Sequence, residues 1–216
     1  MKLAVLSDIH SNSTALSACL DRLEAEHCDE YLLLGDYVSD TPYPQETMRM
    51  LRDLISSKPC RLLRGNREEY MLSQRSILRG EAEGEKWLSN SASGNLLFTF
   101  QRLTDRDLDF FESLPVCFRY EKEGYPSITC CHGSPEQAGE LMQLNGENTK
   151  KWLTRIDTDY LLAAHTHYPG RLCLNGKHYF NTGSVGIAID DPGRAQCVIL
   201  HSRENAQGVS WEAEFL

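Results

Sequence analysis

Nowhere in the 216 residues does an apolar run approach the ~18 that a membrane-crossing helix needs, so a helical membrane protein is excluded. Basic side chains are the scarcer sign, 22 against 31 acidic, for a formal net charge of −9. A dedicated nucleic-acid or anionic-membrane binder would need a basic footprint, and this balance argues against one. An anionic substrate stays open, because a bound cation can reverse the local field. The eight cysteines contain no C-x-x-C pair, and the opening MKLAVLSDIHSN meets Asp8 and His10 too early for a secretion leader. They therefore read as reduced, mostly buried thiols of a cytoplasmic protein. No repeat, linker or low-complexity tract is visible. With 41% apolar and 25% charged residues, the expectation is one globular domain over residues 1–216.

The first third alternates short apolar runs with helical periodicity. Lys2–Ser7, Tyr31–Leu34 and Cys60–Leu63 read as strands, with helices over Thr14–Glu26 (capped by Asn12 or Ser13) and Gln45–Ser56 between them. Such alternation predicts right-handed crossovers and a parallel sheet. Glu68–Leu114 differs. It has helical periodicity interrupted by Gly80, Gly84 and Gly94, and Thr104-x-x-Asp107 is a capping-box variant. Residues 67–114 are read as a helical insertion packing beside or over the body. Strand signals then return at Val116–Glu121, Ser127–Cys131, Tyr160–Ala164, Arg171–Leu174, His178–Asn181, Val185–Ile189, Cys197–His201 and Val209–Phe215, with a helix over Asn148–Ile156. Asn175-Gly176 is a two-residue hairpin signal.

Five polar signatures each follow an apolar run: Asp8-Ile9-His10, Gly35-Asp36, Gly65-Asn66, His132-Gly133 and His165-Thr166-His167. In open α/β sheets ligands bind where loops leave the carboxyl ends of strands, so these termini can converge. Together they supply two aspartates, one asparagine and four of the seven histidines, a metal-ligand set. Taken singly each is weak. Asp-x-His is usually a turn or cap, Gly-Asp a turn, Gly-Asn a left-handed bend, and a lone histidine a structural one; the joint occurrence carries the reading. His27, His178 and His201 sit at no such position and read as structural or surface residues.

The set resembles the calcineurin-like metallophosphoesterases, whose pattern runs D-x-H, G-D, G-N-[H/D/C], H-G, G-H-T-H and N-P-G-S. Here the corresponding residues are Asp8-x-His10, Gly35-Asp36, Gly65-Asn66, His132-Gly133, Ala164-His165-Thr166-His167 and Asn181-Thr182-Gly183-Ser184, in the same order. The chain looks most like the compact bacterial and archaeal branch of small phosphodiesterases and phosphatases. The resemblance implies a four-layer α/β/β/α sandwich with a helical insertion and two divalent ions at its rim. Asp8, His10 and His167 would hold one ion, Asn66, His132 and His165 the other, and Asp36 would bridge them. Imidazoles with few carboxylates suit Mn, Fe, Zn or Ni better than Mg or Ca. The implied activity is hydrolysis of a phosphodiester, phosphoanhydride or phosphomonoester of a small organic phosphate, by in-line attack of a hydroxide held between the ions. Asp36, Asn66, Arg67 and His132 form the catalytic set, and Asn66, Arg67 and Tyr37 the substrate contacts. No nucleic-acid or membrane partner is expected, and a homo-oligomer is compatible with the reading.

Three positions depart from the pattern. Ala164 replaces a glycine and Thr182 a proline. Arg67 stands where many relatives place a histidine proposed to protonate the leaving group. An arginine cannot do that, but its planar fork can grip a phosphate. Its alternative is a surface pair with Glu68 or Glu69. Two rival functions fit the sequence less well. A non-catalytic scaffold of the same fold predicts lost ligands, whereas all seven are present. A serine hydrolase built on Ser184 or Ser134 lacks a G-x-S-x-G elbow.

Overall fold

The computed structural model describes residues 1–206 and 208–216. Strands β1 (Lys2–Leu6), β2 (Glu30–Leu33) and β3 (Cys60–Leu62) are parallel neighbours, joined through helices α1 (Ser13–Ala25) and α2 (Pro44–Ser57). Asn12 Oδ1 accepts the Ala15 N–H at 3.1 Å and caps α1. Pro44 opens α2, where its missing N–H costs nothing. Helices α3 (Asn66–Arg79), α4 (Gly94–Phe100) and α5 (Asp105–Ser113) follow, and Thr104 and Asp107 form the expected capping box at α5. Then come β4 (Cys117–Tyr120), β5 (Ile128–Cys131), α6 (Glu147–Arg155), β6 (Tyr160–Ala163), β7 (Gly170–Leu174), β8 (Lys177–Asn181), β9 (Val198–Asn205) and β10 (Gly208–Phe215).

Two five-stranded sheets result, in the orders β10-β9-β1-β2-β3 and β4-β5-β6-β8-β7. Both are mixed rather than parallel throughout: β9 runs antiparallel to β1, and β7 pairs antiparallel with β8 through the Asn175-Gly176 turn, both residues at positive φ. The alternation of β1 shows the layering. Leu3 and Val5 join an apolar cluster with Ile128, Leu162 and Phe180 of the other sheet, while Ala4 and Leu6 face Leu16, Leu23 and Leu51 of the helices. Met71, Leu96, Leu108 and Phe111 of α3–α5 are buried in that same helix-side cluster. Trp152 and Leu153 of α6 cover the second sheet's outer face together with Leu161 and Tyr179. The layers are therefore α/β/β/α. Strands buried on both faces read as continuous apolar runs, which is why YLLL and LAVL lack alternation. Each fully buried leucine stabilises by about 1.5–3 kcal/mol, and these strands supply the rigid floor from which the site loops rise.

One expected strand is absent. Val185–Ile189 is a loop, because Val185 and Gly186 donate to the carbonyls of Ser7 and Asp8 just past the end of β1 instead of entering a sheet ladder. A Cβ on Gly186 would lie 2.0 Å from the Ile9 carbonyl oxygen, so the two loops are pressed together. None of the eight cysteines is disulfide-bonded; four are buried, and Cys173 on the edge strand β7 is exposed.

Candidate metal centre

Each of the five signatures leaves the carboxyl end of a strand or run, and they meet at one point between the sheets' ends. Asp8, His10, Asp36, His165 and His167 all have φ between 49° and 65°, a left-handed conformation uncommon for residues other than glycine. Such positions cost about 1–3 kcal/mol each and persist where the surroundings over-determine them. Here backbone bonds do so: His10 N–H donates to the Asp36 carbonyl at 3.0 Å and Asp8 N–H to the Gly35 carbonyl at 3.1 Å. Ser184 Oγ donates to the Asp8 carbonyl at 2.9 Å.

Two groups of donor atoms result, Asp8 with His10 and His167, and Asp36 with His132 and His165; within each, the atoms lie within 4.8 Å of one another. His165 and His167 thus serve different groups. Strand β6 ends at Ala163, and beyond it the chain leaves the extended conformation that would turn alternate side chains the same way. Asn66 Oδ1 lies 3.1 Å from His132 Nε2 at the start of α3. Asp36 Oδ2 is 3.3 Å from His132 Nε2 and 3.8 Å from His10 Nε2. Asp8 Oδ1 is also central, 3.2 Å from His167 Nε2 and 3.7 Å from both His10 and His132.

The donor chemistry fits a metal. His132 Nδ1 donates to the Leu34 carbonyl at 2.6 Å and His167 Nδ1 to the Ile187 carbonyl at 2.7 Å, which turns both Nε2 lone pairs inward. Asp8 Oδ1 is fully buried and accepts no hydrogen bond. Oxygens and imidazole nitrogens, all acceptors, converge in a buried space, an arrangement that a cation stabilises and that otherwise takes up protons. The titration pattern shows the second alternative. Burial works against charge on every group here. Nevertheless the carboxylates of Asp40 and Asp8 beside it push His10 up to about 10. The carboxylates of Asp36 and Asp8 push His132 up to about 9. Burial likewise opposes ionisation of Asp8, but the charge of His132 and the neighbouring imidazoles of His10 and His167 hold it well below the usual carboxylate range.

Glu68 is a residue that sequence reasoning missed. It is buried, and its carboxylate accepts from the N–H groups of Gly65 and Asp36 at 2.8 Å and of Tyr37 at 2.9 Å, tying two ligand loops together. Burial, then the nearby Asp36 charge, raise its pKa to about 7. The signal was present as Gly65-x-x-Glu68, an acid three residues into a helix after a glycine cap. Asp40 was missed as well; its Oδ2 lies 3.0 Å from His10 Nδ1.

One substrate contact needs correction, and so does the alternative pairing of Arg67. Tyr37 is wholly buried, and its hydroxyl donates to the Leu63 and Leu33 carbonyls at 2.6 and 3.1 Å, so it holds β2 and β3 together and has no atom left for a substrate. Arg67 pairs with neither Glu68 nor Glu69; its Nε lies 3.2 Å from Asp40, while Glu69 pairs with Arg64. Its backbone N–H donates to Asp36 Oδ1 at 2.8 Å, and its side chain is 29% exposed at the rim. At Thr182, the residue in the proline position, the N–H donates to the Ala163 carbonyl at 3.1 Å, a bond proline cannot make, and the hydroxyl bonds Ser7 Oγ at 2.6 Å. Two of the three remaining histidines have partners away from the site: His178 stacks on Tyr160 and His201 pairs with Glu214. Among the described residues no helix is long and apolar enough to cross a membrane.

Comparison with known proteins shows the fold and the family. The structure superimposes on the hypothetical protein PH1004 of Pyrococcus horikoshii (TM-score 0.79, 20% identity, covering 100% of this chain and 86% of that one). It also superimposes on a metallophosphoesterase from Sphaerobacter thermophilus (TM-score 0.71, 24% identity, 99% and 88%). In sequence, the uncharacterized protein MJ0912 of Methanocaldococcus jannaschii is 25% identical over 217 residues, 94% of this chain and 83% of the relative. The sequence profile of the calcineurin-like phosphoesterases matches residues 1–179, a span that holds every donor atom of the buried cluster, and the chain belongs to that family.

Proposed function

We propose that the protein is a metal-dependent phosphoesterase that holds two divalent ions and hydrolyses a small organic phosphate. The observation that carries this reading is the convergence of acceptor atoms around the orphaned Asp8 Oδ1. Asp8, His10 and His167 would hold one ion, and Asn66, His132 and His165 the other, with Asp36 between them. Mn, Fe, Zn and Ni suit this mixture of imidazole and carboxylate. The ions supply acidification of a water nucleophile and neutralisation of charge on the phosphoryl oxygens.

The chain's own residues set the rest. Glu68 and the carbonyls behind His132 and His167 keep the donors in place without rearrangement, which is where preorganised electrostatic stabilisation comes from. Arg67 is fixed at the rim by its backbone bond to Asp36 and its ion pair with Asp40, with its outer guanidinium nitrogens available to a phosphate oxygen. No general acid stands at that position, so leaving groups already stable as anions are favoured. Phosphoanhydrides and aryl diesters belong to this class; alkyl monoesters do not. The complete donor set gives no support to a scaffold that has shed its ligands. The test is a panel of aryl diesters, dinucleoside polyphosphates and alkyl monoesters, assayed on protein stripped with chelator and reloaded with Mn²⁺. Metal-dependent turnover with anhydrides or aryl diesters ahead is expected. Alkyl monoesters as best substrates would overturn the preference, and turnover untouched by stripping would overturn the metal chemistry.

A further inference from the structure

His10 differs from its neighbours in what holds its outer nitrogen. His132 and His167 donate from Nδ1 to backbone carbonyls. His10 Nδ1 instead faces a carboxylate, 3.0 Å from Asp40 Oδ2. That oxygen also accepts from Ser39 Oγ at 2.6 Å and lies 3.2 Å from Arg67 Nε. The other oxygen, Asp40 Oδ1, accepts from Asn95 Nδ2 of α4. Groups from β1's loop, α3 and α4 thus meet on one carboxylate whose side chain is 16% exposed. The backbone is bent to bring it there: Ser39 and Asp40 have φ of 110° and 62°, conformations held only where the surroundings require them.

A carboxylate behind an imidazole does more than a carbonyl does. Both fix the ring's orientation, but the full negative charge also makes the far nitrogen a stronger electron donor. The two clusters are therefore unequal. We propose that Asp40 is a positioning residue that makes the Asp8–His10–His167 cluster the tighter of the two metal sites, while the same carboxylate anchors Arg67 beside it. This rests on the two-metal reading above.

Two experiments test it. In the first, crystals of the wild-type protein are grown with less than one equivalent of Mn²⁺ per chain, and anomalous density is measured at the two clusters. Density first at Asp8–His10–His167 is expected; density first at Asp36–His132–His165 overturns the proposal. The second titrates metal-free wild type and Asp40→Asn with Mn²⁺ against a chromophoric chelator. Asp40→Asn keeps the shape and removes the charge. Its tighter site should weaken about ten- to hundredfold while the weaker site stays within about threefold. A merely structural role would weaken both sites together or neither, and either result overturns the proposal. The two-metal reading has its own distinct failure: wild-type protein that binds no metal.

Discussion

Gly65 lies between two of the proposed ligands, Asp36 and Asn66, and its replacement by alanine probes the site without changing a donor residue. Its φ of −94° suits any residue, so space alone decides the outcome. A Cβ there would stand 2.2 Å from Asp36 Oδ1, 2.6 Å from Asp36 N and 2.9 Å from Asp36 Cγ. The backbone nitrogen cannot yield, because Glu68 holds it at 2.8 Å. The carboxylate must instead swing away by about 1 Å, and a misplacement of that size in a catalytic constellation can cost about 10²-fold. Overpacking of this kind costs about 1–3 kcal/mol of stability, too little to unfold a domain of this size. The matched control is Gly139→Ala, whose added Cβ meets only Asn66 Cβ at 3.9 Å, an ordinary contact. Hydrolysis of an aryl phosphodiester by Mn²⁺-loaded protein should fall about 100-fold or more in Gly65→Ala and stay near wild type in Gly139→Ala. Metal content per chain, read by elemental analysis, should fall with it in Gly65→Ala alone. If Gly65→Ala keeps both metal content and turnover, Asp36 is not the group on which the site depends.

Tyr37→Phe should lower stability by about 1–2 kcal/mol through loss of the hydroxyl bonds to Leu63 and Leu33, read from denaturant midpoints, with KM unchanged for every substrate. A raised KM with intact stability would return Tyr37 to the substrate. Arg67→Ala should raise KM most for substrates carrying more than one phosphate, and equal effects across mono- and polyphosphates would remove it from phosphate binding. The folded, metal-free protein binds protons more tightly at His10 and His132 than the unfolded chain, whose histidines titrate near 6.5. The stability they contribute is fully present below pH 6.5 and lost as pH rises through about 9 and 10. Melting temperatures of chelated protein should fall over that window, while the extra stability from added Mn²⁺ should grow as protons stop competing; a metal effect independent of pH would contradict the donor assignment.

Much of the site was legible because its donors sit at the ends of apolar runs, where strand termini bring distant positions together. Asp8, Asp36, Asn66, His132, His165 and His167 are spread along the sequence, yet each proposed ligand follows the end of an apolar run. What was not legible has two physical origins. The hydrogen-bond partners of a buried carboxylate are set by tertiary contact, so Glu68 looked like one of two surface acids and Asp40 drew no reading at all. Tyr37 followed a ligand and so looked accessible, although the left-handed bend at Asp36 returns the next side chain to the core. The apolar run Val185–Ile189 has strand composition, but the N–H groups of Val185 and Gly186 are spent on the loop beyond β1, and composition carries no record of that.

If Asp36 holds two cations in one buried cluster, the number of metal ions per chain must differ between wild type and Asp36→Asn. Asp36→Asn preserves size and removes the shared negative charge, while the fold, built on layers remote from this side chain, should remain. Elemental analysis after Mn²⁺ loading and desalting, paired with aryl phosphodiester hydrolysis, should show two ions per wild-type chain, fewer in the variant, and turnover lower by orders of magnitude. An Asp36→Asn protein that keeps two ions and hydrolyses the diester at the wild-type rate would contradict that role for Asp36.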